Sequence, residues 1–284
     1  MVSPLARRTA VNYLVEQGNC SQRHASRLVG ISRTVVRYNA RKAKDNKELI
    51  DQMRELAHRY PRYGYRRITS MLEQEGKSVN HKRVYRLWHS EGLVIRKHKS
   101  GKKIARTKGE MQRAEYPNHV WSYDFMDDET VKGTSIRILN VLDEFTRECL
   151  AIRVGRSITS QEVIEVLEYL FLTRGMAAYI RSDNGPEFVA KAVSEWLDKR
   201  GAKTIFIHPG SPWENSYIES FNGKLRDECL NMEIFDSVEQ AGILLENWRQ
   251  EYNNFRPHSA CGGLSPSNYA RRYRETLKLE AITT

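Results

Sequence analysis

The length and composition of the chain already exclude several classes of protein. It has 284 residues and a formal net charge of +11, which is enough chain for one large domain or two small ones. No apolar run approaches the roughly 18 residues that span a membrane, and the first residues lack the apolar stretch of a secretory signal. The four cysteines stand far apart with no Cys-x-x-Cys pair. This disfavours a structural zinc site or a disulfide framework and favours a reducing cytoplasm.

The charge is distributed unevenly along the chain. Residues 1–116 contain 27 Lys and Arg against 10 Asp and Glu, whereas residues 117–284 contain 19 against 25. The front part therefore carries +17 and the back part −6. Such a division predicts a module that binds a polyanion, fused to a second part of different function. A basic surface without a partner is the alternative interpretation.

Residues 1–45 predict a helix-turn-helix bundle. Two short helices are expected on either side of a turn at Gly30, with Ser21 and Ser32 as their N-caps. The small core is predicted to contain Ala25, Leu28, Ile31, Val35 and Val36. The second helix would enter a major groove of DNA. There it would present Arg33, Thr34 and Arg37.

A second helix-turn-helix-like bundle is predicted over residues 46–95. Its helices are expected over 46–60, 65–75 and 81–90, with Asn80 as the N-cap of the last one. The side chains left to contact DNA are His81, Lys82, Arg83 and Arg86. Two plain helical bundles without DNA contacts are the alternative for the whole front part.

Residues 96–115 are predicted to form a basic linker. Eight of the 18 residues from 96 to 113 are Lys or Arg, and hardly any are apolar, so the segment lacks the side chains to build a core. Lys102 and Lys103 are expected to contact DNA phosphates, and each such contact adds roughly 0.9 to the salt dependence of binding.

Residues 116–275 predict an α/β domain. Strands are expected over 119–126, 134–142, 148–154, 178–182 and 204–207, and helices over 160–173, 186–199, 214–230 and 237–255. A meander of three strands followed by two crossovers predicts a mixed five-stranded sheet with flanking helices on both faces.

Three acidic residues of this domain are candidates for a catalytic site. Asp124 lies in an apolar strand, where a buried carboxylate is costly unless it is paired or bound to a cation. Asp183 follows a strand and begins a tight Asn-Gly-Pro turn, at the sheet edge where α/β proteins bind ligands. Glu219 lies on a predicted helix, on the face that also carries Asn222 and Arg226. The ordinary alternatives are an edge residue, a helix cap and a surface glutamate.

Three converging carboxylates would repel one another without cations. Two Mg²⁺ ions roughly 3.5–4 Å apart suit such a site, since carboxylate oxygens are preferred ligands of Mg²⁺. One ion would activate water or a 3′-hydroxyl, and the other would stabilise the leaving oxygen. The chemistry is an in-line displacement at a phosphodiester, which needs no nucleophilic Ser or Tyr.

Three segments resemble the catalytic core of DDE transposases and retroviral integrases. They are WSYD at 121–124, SDNGPEF at 182–188 and HPGSPWENSYIESFNG at 208–223. The 35 residues between Asp183 and Glu219, and a basic Arg226 seven positions after the glutamate, are typical of bacterial insertion sequences. With the tail motif YNNFRPH at 252–258, the chain resembles the second-reading-frame (OrfB) protein of two-frame insertion sequences.

The resemblance implies a fold, an activity and a cofactor. The fold would be RNase H-like, and the activity would be a DDE-type DNA transposase that cleaves a strand and joins the freed 3′-hydroxyl to target DNA. Asp124, Asp183 and Glu219 would be the catalytic residues and the ligands of two Mg²⁺ ions, with Mn²⁺ able to substitute.

The residues around the glutamate have expected roles as well. Lys224 and Arg226 are expected to position DNA phosphates beside the metals, and Asn184 and Asn222 to orient the substrate. Turn or helix-surface polar groups are the alternative for both asparagines. Gly223 costs a helix about 1 kcal/mol relative to Ala, which a close backbone approach would justify.

The resemblance also predicts partners and location. The expected partners are double-stranded DNA, at the element ends and at the target, and further copies of the chain. An upstream-frame protein or fused segment is a further expected partner, and the expected location is the bacterial cytoplasm at the nucleoid. A DNA-binding regulator and a structure-selective nuclease are the alternative functions. Removing residues 1–95 is expected to weaken end binding more than the chemistry.

Overall fold

The computed structural model describes residues 4–18, 20–37, 43–95, 113–182, 187–207 and 212–283. The chain forms two compact units, Met1–Glu55 and Leu56–Thr284. None of the described helices is long and apolar enough to cross a membrane.

The first unit begins with three short helices. They are α1 (Pro4–Gln17), α2 (Gln22–Val29) and α3 (Arg33–Arg37). The predicted caps are confirmed, because the hydroxyl of Ser21 accepts the amide of His24 and the hydroxyl of Ser32 accepts the amide of Val35. Gly30 ends α2 with a φ of 67°, a left-handed conformation that Gly adopts without strain.

The core of this unit differs in part from the prediction. It contains Val11, Ala25 and Val36, with Ile31 packed against them. The prediction that Leu28 and Val35 belong to it is wrong, since they are 64% and 39% exposed. Val11 of α1 fills the centre instead. Val35 lies about 100° around α3 from the buried Val36, which turns it away from the core.

Three further helices follow in the chain. They are α4 (Ala43–Arg59), α5 (Tyr65–Gln74) and α6 (His81–Ser90). The side chain of Asn80 accepts the amide of Lys82, as expected of the predicted N-cap. Within α5 and α6, Ile68, Leu72 and Val84 are fully buried, and Leu87 is partly buried. Both α5 and α6 belong to the second unit, which also contains the sheet.

The predicted mixed five-stranded sheet is confirmed. Its strands are β1 (Val120–Glu129), β2 (Ser135–Asp143), β3 (Cys149–Gly155), β4 (Tyr179–Ser182) and β5 (Lys203–Phe206). The strand order is β3-β2-β1-β4-β5. The pairs β1–β2 and β2–β3 are antiparallel, and the pairs β1–β4 and β4–β5 are parallel.

Helices cover both faces of the sheet. They are α7 (Ser160–Arg174), α8 (Glu187–Arg200), α9 (Ser216–Leu225) and α10 (Val238–Asn254). A further helix, α11 (Pro266–Thr283), packs against α10. On one face Leu139 of β2 packs in a core with α7 and α8. On the other face Ile138 packs in a core with α9 and α10. Because side chains alternate along a strand, Asn140 lies on the same face as Ile138, the α9 face.

The helix predicted over 214–230 has three parts. A 3₁₀ turn (Pro212–Asn215) leads into α9, and a π-helical turn (Arg226–Leu230) follows it. Such turns are frequent at functional sites, because they redirect side chains relative to a regular helix. The helix α11 is an addition that the sequence pattern did not predict.

Candidate active site and the surfaces around it

Asp124 lies on β1 with both carboxylate oxygens bound to neighbouring groups. It stands opposite Asn140 of β2 in the antiparallel ladder and is partly exposed. Its Oδ1 accepts the amide of Phe125 at 2.8 Å, and its Oδ2 accepts Nδ2 of Asn222 at 2.8 Å. The orientation of this carboxylate is therefore set by a strand and by α9 together.

Asn222 is itself held by Asn140. The Nδ2 of Asn140 donates to Oδ1 of Asn222 at 2.9 Å, and both residues are buried. Since the oxygen of Asn222 already accepts from Asn140, its amide nitrogen is the group that faces Asp124. Asn222 is among the residues that the sequence predicts for the site, whereas Asn140 is not. The available signal was an asparagine within the apolar run ILNVL of β2.

Glu219 lies on α9, three residues before Asn222. Arg226 lies at the start of the π-helical turn, four residues after Asn222. The side chain of Glu219 is exposed. The Nη2 of Arg226 donates to the backbone carbonyl of Asp127 at 2.8 Å, and its Nη1 lies 3.7 Å from Oδ2 of Asp128. The shared helix face that the spacing predicts therefore includes two residues, Asn222 and Arg226, that contact β1.

The predicted residues Asp183 and Asn184 lie outside the described part of the chain. Strand β4 ends at Ser182, the residue before them. Among the described residues, no three His, Cys, Asp or Glu side chains are grouped so as to hold a metal ion. Of the three predicted ligands, the structure describes Asp124 and Glu219, and the metal site stays a prediction.

A buried ion pair supports the end of β4. The Nε of Arg181 lies 2.9 Å from Oε1 of Glu144, and neither side chain is more than 1% exposed. Burial raises the pKa of Glu144 to about 7, and the guanidinium of Arg181 opposes that rise. The pair connects β4 to the turn between β2 and β3, close in sequence to Asp183.

The residues predicted to contact DNA are mostly at the surface. Those that are exposed are Arg33, Thr34, Arg37, His81, Lys82 and Arg86. Arg83 is partly buried, and Lys102 and Lys103 lie outside the described residues. Arg37 donates from Nε to Oε1 of Gln22 at 2.8 Å, so its guanidinium keeps further donors.

Lys224 lies on a different side of α9 from Asn222. Two positions along a helix correspond to about 200° of rotation, so Lys224 points away from the side of α9 that contacts Asp124. Its Nζ donates to the carbonyl and the hydroxyl of Ser220 at 2.9 and 2.8 Å. It lines a cavity of about 600 Å³, called the cationic cavity here because its lining includes Arg66, Arg67, Arg147, Lys224 and Arg256.

The described residues provide no close approach at Gly223. A Cβ at this position would meet no atom within 4 Å, so packing within the described part of the protein does not require glycine there.

The tail motif YNNFRPH holds elements of the second unit together. The side chain of Asn253 accepts the amide of Cys149 and donates to its carbonyl, both at 2.8 Å. Nη1 of Arg256 lies 3.2 Å from Nε2 of His258. Burial, with a smaller contribution from Arg256, lowers the pKa of His258 to about 2. The imidazole is therefore neutral, and its Nε2 accepts from the arginine.

Glu228 is the shared partner of two arginines. Its side chain is 6% exposed and accepts Nη1 of Arg67 at 3.0 Å. It also accepts Nε and Nη2 of Arg256 at 2.7 and 2.6 Å. The preceding Asp227 pairs with Arg62 in a more exposed position. One carboxylate of the π-helical turn thus joins α5 to the tail, a connection that no sequence motif predicts.

Comparison with known families defines the class of protein. Residues 114–212 and 200–266 each match the Integrase core domain family, and residues 44–100 match the HTH-like domain family. With the observed strand order, the integrase match makes the fold RNase H-like. Proteins of this class are polynucleotidyl transferases that act on DNA and depend on metal ions.

Relatives from bacterial mobile elements are similar over most of the chain. An uncharacterized 31.7 kDa protein of insertion element IS407 from Burkholderia multivorans is 40% identical over 261 residues, which cover 92% of this chain and 94% of the relative. The 39.2 kDa protein of insertion element IS476 from Xanthomonas euvesicatoria is 39% identical, with 96% and 79% covered. The transposase of insertion sequence element IS904 from Lactococcus lactis is 27% identical, with 78% and 93% covered. The chain belongs to the insertion-element transposases that contain an integrase core domain.

Solved integrase structures show a weaker likeness. The catalytic core domain of HTLV-2 integrase in complex with magnesium has a TM-score of 0.40 and 19% identity, covering 56% of this chain and 99% of that one. The simian T-cell lymphotropic virus intasome has a TM-score of 0.48 and 18% identity, covering 77% and 74%.

Proposed function

We propose that this transposase binds the ends of a mobile element, cleaves a DNA strand there and joins the freed 3′-hydroxyl to target DNA. The observation that carries the proposal is the Asp124 carboxylate, oriented by Asn222 from the helix that also carries Glu219. A buried relay of two asparagines behind one carboxylate is typical of a metal ligand, whose partners are hydrogen-bonded in turn.

The strand register supports Asp183 as the second ligand. Parallel pairing aligns Val120 with Tyr179 and Ser122 with Arg181. Asp124 and Asp183 each follow this last pair by two positions in the sequence. Neighbouring strands lie roughly 4.8 Å apart, a separation at which two carboxylates can share cations. In the proposal the two aspartates therefore face the same ions.

The chemistry of the donors suits Mg²⁺. Carboxylate oxygens are its preferred protein ligands, and Mn²⁺ accepts the same donors. Two bound ions would activate the attacking oxygen and stabilise the leaving one. The side chains that would hold them are Asp124, Asp183 and Glu219, while Asn222 keeps the first of these in a fixed orientation.

Each step of the reaction exchanges one bond at phosphorus for another. In cleavage, a water oxygen bonds to phosphorus, the P–O3′ bond breaks, and the leaving oxygen takes a proton to become a 3′-hydroxyl. In transfer, the oxygen of that hydroxyl bonds to a target phosphorus and loses its proton, while a P–O bond of the target strand breaks and the leaving oxygen takes up a proton. Arg226 is held beside β1 by contacts with Asp127 and Asp128, and in the proposal it would orient a phosphate next to the carboxylates.

The front part of the chain is proposed to find the element end. Its exposed basic residues would contact phosphates and base edges through α3 and α6, and Lys102 and Lys103 would add phosphate contacts. Two ends must be held together, so the active form is proposed to be an oligomer on DNA. An upstream-frame partner and a place at the bacterial nucleoid belong to the same proposal.

The test is a strand-transfer assay with a labelled element end and a target duplex. Asp124→Asn, Asp183→Asn and Glu219→Gln are each expected to abolish cleavage and joining while leaving end binding intact. Matched controls are Glu165→Gln on α7 and Asp236→Asn, which are exposed and lie outside the proposed site. These controls should retain activity.

The same assay separates the alternative functions. Products that are cut but never joined would identify a structure-selective nuclease. No product with Mg²⁺ or Mn²⁺ would favour a DNA-binding regulator. Normal activity in a carboxylate variant would remove that residue from the proposed metal site.

A further inference from the structure

The cationic cavity contains more positive charge than its protein partners neutralise. It lies within the second unit, with α5 and α9 on its sides and the tail motif at its base. The described residues that line it include five Arg or Lys and no carboxylate. Glu228, which lies just behind the lining, already accepts hydrogen bonds from both Arg67 and Arg256. The cations Arg66, Arg147 and Lys224 are left in surplus.

Lys224 is partly buried among these cations. Burial, followed by repulsion from Arg256 and the other arginines of the cavity, lowers its pKa to about 8. Its Nζ is held by two oxygens of Ser220. An ammonium in this position would be stabilised by an anion in the cavity, because the anion would offset both burial and repulsion.

Arg147 is held toward the cavity in an uncommon conformation. Its φ of 65° lies in the left-handed region, which side chains rarely occupy outside turns and functional sites. Its guanidinium carbon stands 3.9 Å from the centre of the Tyr217 ring, which fixes the direction of the side chain. The planar guanidinium retains several N–H donors suited to phosphate oxygens.

The remaining lining supplies neutral donors and room. Hydroxyl groups come from Ser70, Ser216, Tyr217 and Ser220. The volume of about 600 Å³ is in the range of pockets that enclose whole small molecules, so the cavity can take a phosphate with the sugar and base attached to it.

We propose that the cationic cavity binds a nucleotide of a DNA strand through its phosphate, with Lys224 and Arg147 as the principal contacts. This inference rests on the proposed function, because that function brings DNA to α9. The helix would then use two sides: the side with Glu219 and Asn222 for the reaction, and the side with Lys224 for holding the strand. The tail motif would form part of the binding surface on the Lys224 side, since several of its residues line the cavity.

The test measures DNA affinity of the full chain against salt concentration. Lys224→Gln and Arg147→Gln are each expected to weaken binding of a labelled element-end duplex about tenfold. Each should also reduce the slope of log Kd against log salt by about 0.9, the value for one phosphate contact. Arg66→Gln, at an exposed cation on the rim, tests the same surface without disturbing buried groups.

Controls exclude a folding defect and a general loss of charge. Arg274→Gln removes an exposed cation of α11 outside the cavity and should leave both affinity and slope unchanged. Melting temperatures of all variants report folding. Unchanged slopes in Lys224→Gln, Arg147→Gln and Arg66→Gln would overturn the proposal.

The source of the phosphate is tested with two probes. An unlabelled single-stranded oligonucleotide with a 5′-phosphate should raise the melting temperature of the wild type and not of Lys224→Gln. Equal protection by thymidine monophosphate at the same concentration would overturn the assignment to a DNA strand. The outcome is separate from the catalytic proposal, because it is read from DNA affinity alone. Asp124→Asn should keep that affinity and its salt slope while it abolishes joining.

Discussion

At the scale of single residues, Asn222 controls a carboxylate without any need to touch DNA. Its oxygen accepts from Asn140, and its nitrogen donates to Asp124. Removing the amide would leave Asp124 free to rotate and Asn140 with a buried donor that has lost its partner. The loss should therefore appear first in the metal dependence of the reaction.

Asn222→Ala is expected to lower the strand-cleavage rate about tenfold to a hundredfold, the usual effect of removing a group that orients a metal ligand. The Mg²⁺ concentration needed for half-maximal rate should rise as well. Rates are measured across a Mg²⁺ titration, with Asn254→Ala at the exposed end of α10 as the matched control. A normal rate with a normal Mg²⁺ titration would contradict the role given to Asn222.

At the scale of secondary-structure elements, the end of α9 connects three parts of the second unit. Within the π-helical turn, Arg226 contacts β1, Asp227 contacts the start of the α5 region, and Glu228 contacts both α5 and the tail. Three successive side chains thus point to three different neighbours. A buried carboxylate with two arginines is the strongest of these connections.

Glu228→Gln is expected to lower the free energy of unfolding by about 3 kcal/mol, because it leaves two buried or half-buried arginines without a counter-charge. Asp227→Asn is the matched control one residue earlier. Its ion pair with Arg62 is about 40% exposed on both sides, so its loss should cost less than about 1 kcal/mol. Urea denaturation measures both. Equal losses of unfolding free energy in the two variants would show that burial does not distinguish the two ion pairs.

Local signals explain which elements the sequence predicts well. The bounds of α6 follow from a capping asparagine and a glycine, and the strands of the sheet follow from apolar alternation, all of which are encoded within a few residues. The contacts of Asn140 and Arg256 are different. Their partners lie 82 and 28 positions away, so they depend on tertiary packing that no local pattern specifies.

The candidate site divides in the same way. Asp124, Asn222 and Arg226 are predictable because helix periodicity and the family motif place them. Helix periodicity also predicts which side of α9 Lys224 occupies. It does not predict which residues surround Lys224. The cationic cavity forms from α5, a strand turn and the tail, which meet only in the folded chain.

At the scale of the whole molecule, the chain divides within α4 rather than after α6. The helices α5 and α6 belong to the unit that contains the sheet, and α5 supplies Arg67 to Glu228. Gln74 at the end of α5 also donates to the carbonyl of Gly263 at 2.8 Å. The basic front part of the chain, residues 1–116, is therefore not one module that can be removed whole. The truncation of residues 1–95 that the charge distribution suggests would cut into the unit that contains the sheet.

Two truncations are expected to behave differently for this reason. Removing residues 1–42 deletes α1 to α3, so it should weaken binding of element ends, while chemistry on oligonucleotides persists at low salt, where non-specific DNA affinity is high. Removing residues 1–95 also takes away Arg67, which pairs with Glu228, and the ring of Tyr63, whose centre lies 5.7 Å from the guanidinium of Arg256. That fragment should unfold at a lower urea concentration and lose chemistry together with binding.

Cleavage assays at low salt and the urea midpoints of unfolding compare the two fragments. Equal stability of both fragments would show that α5 contributes nothing to the catalytic unit, whereas loss of low-salt chemistry in the first would show that α1 to α3 are needed for the reaction itself.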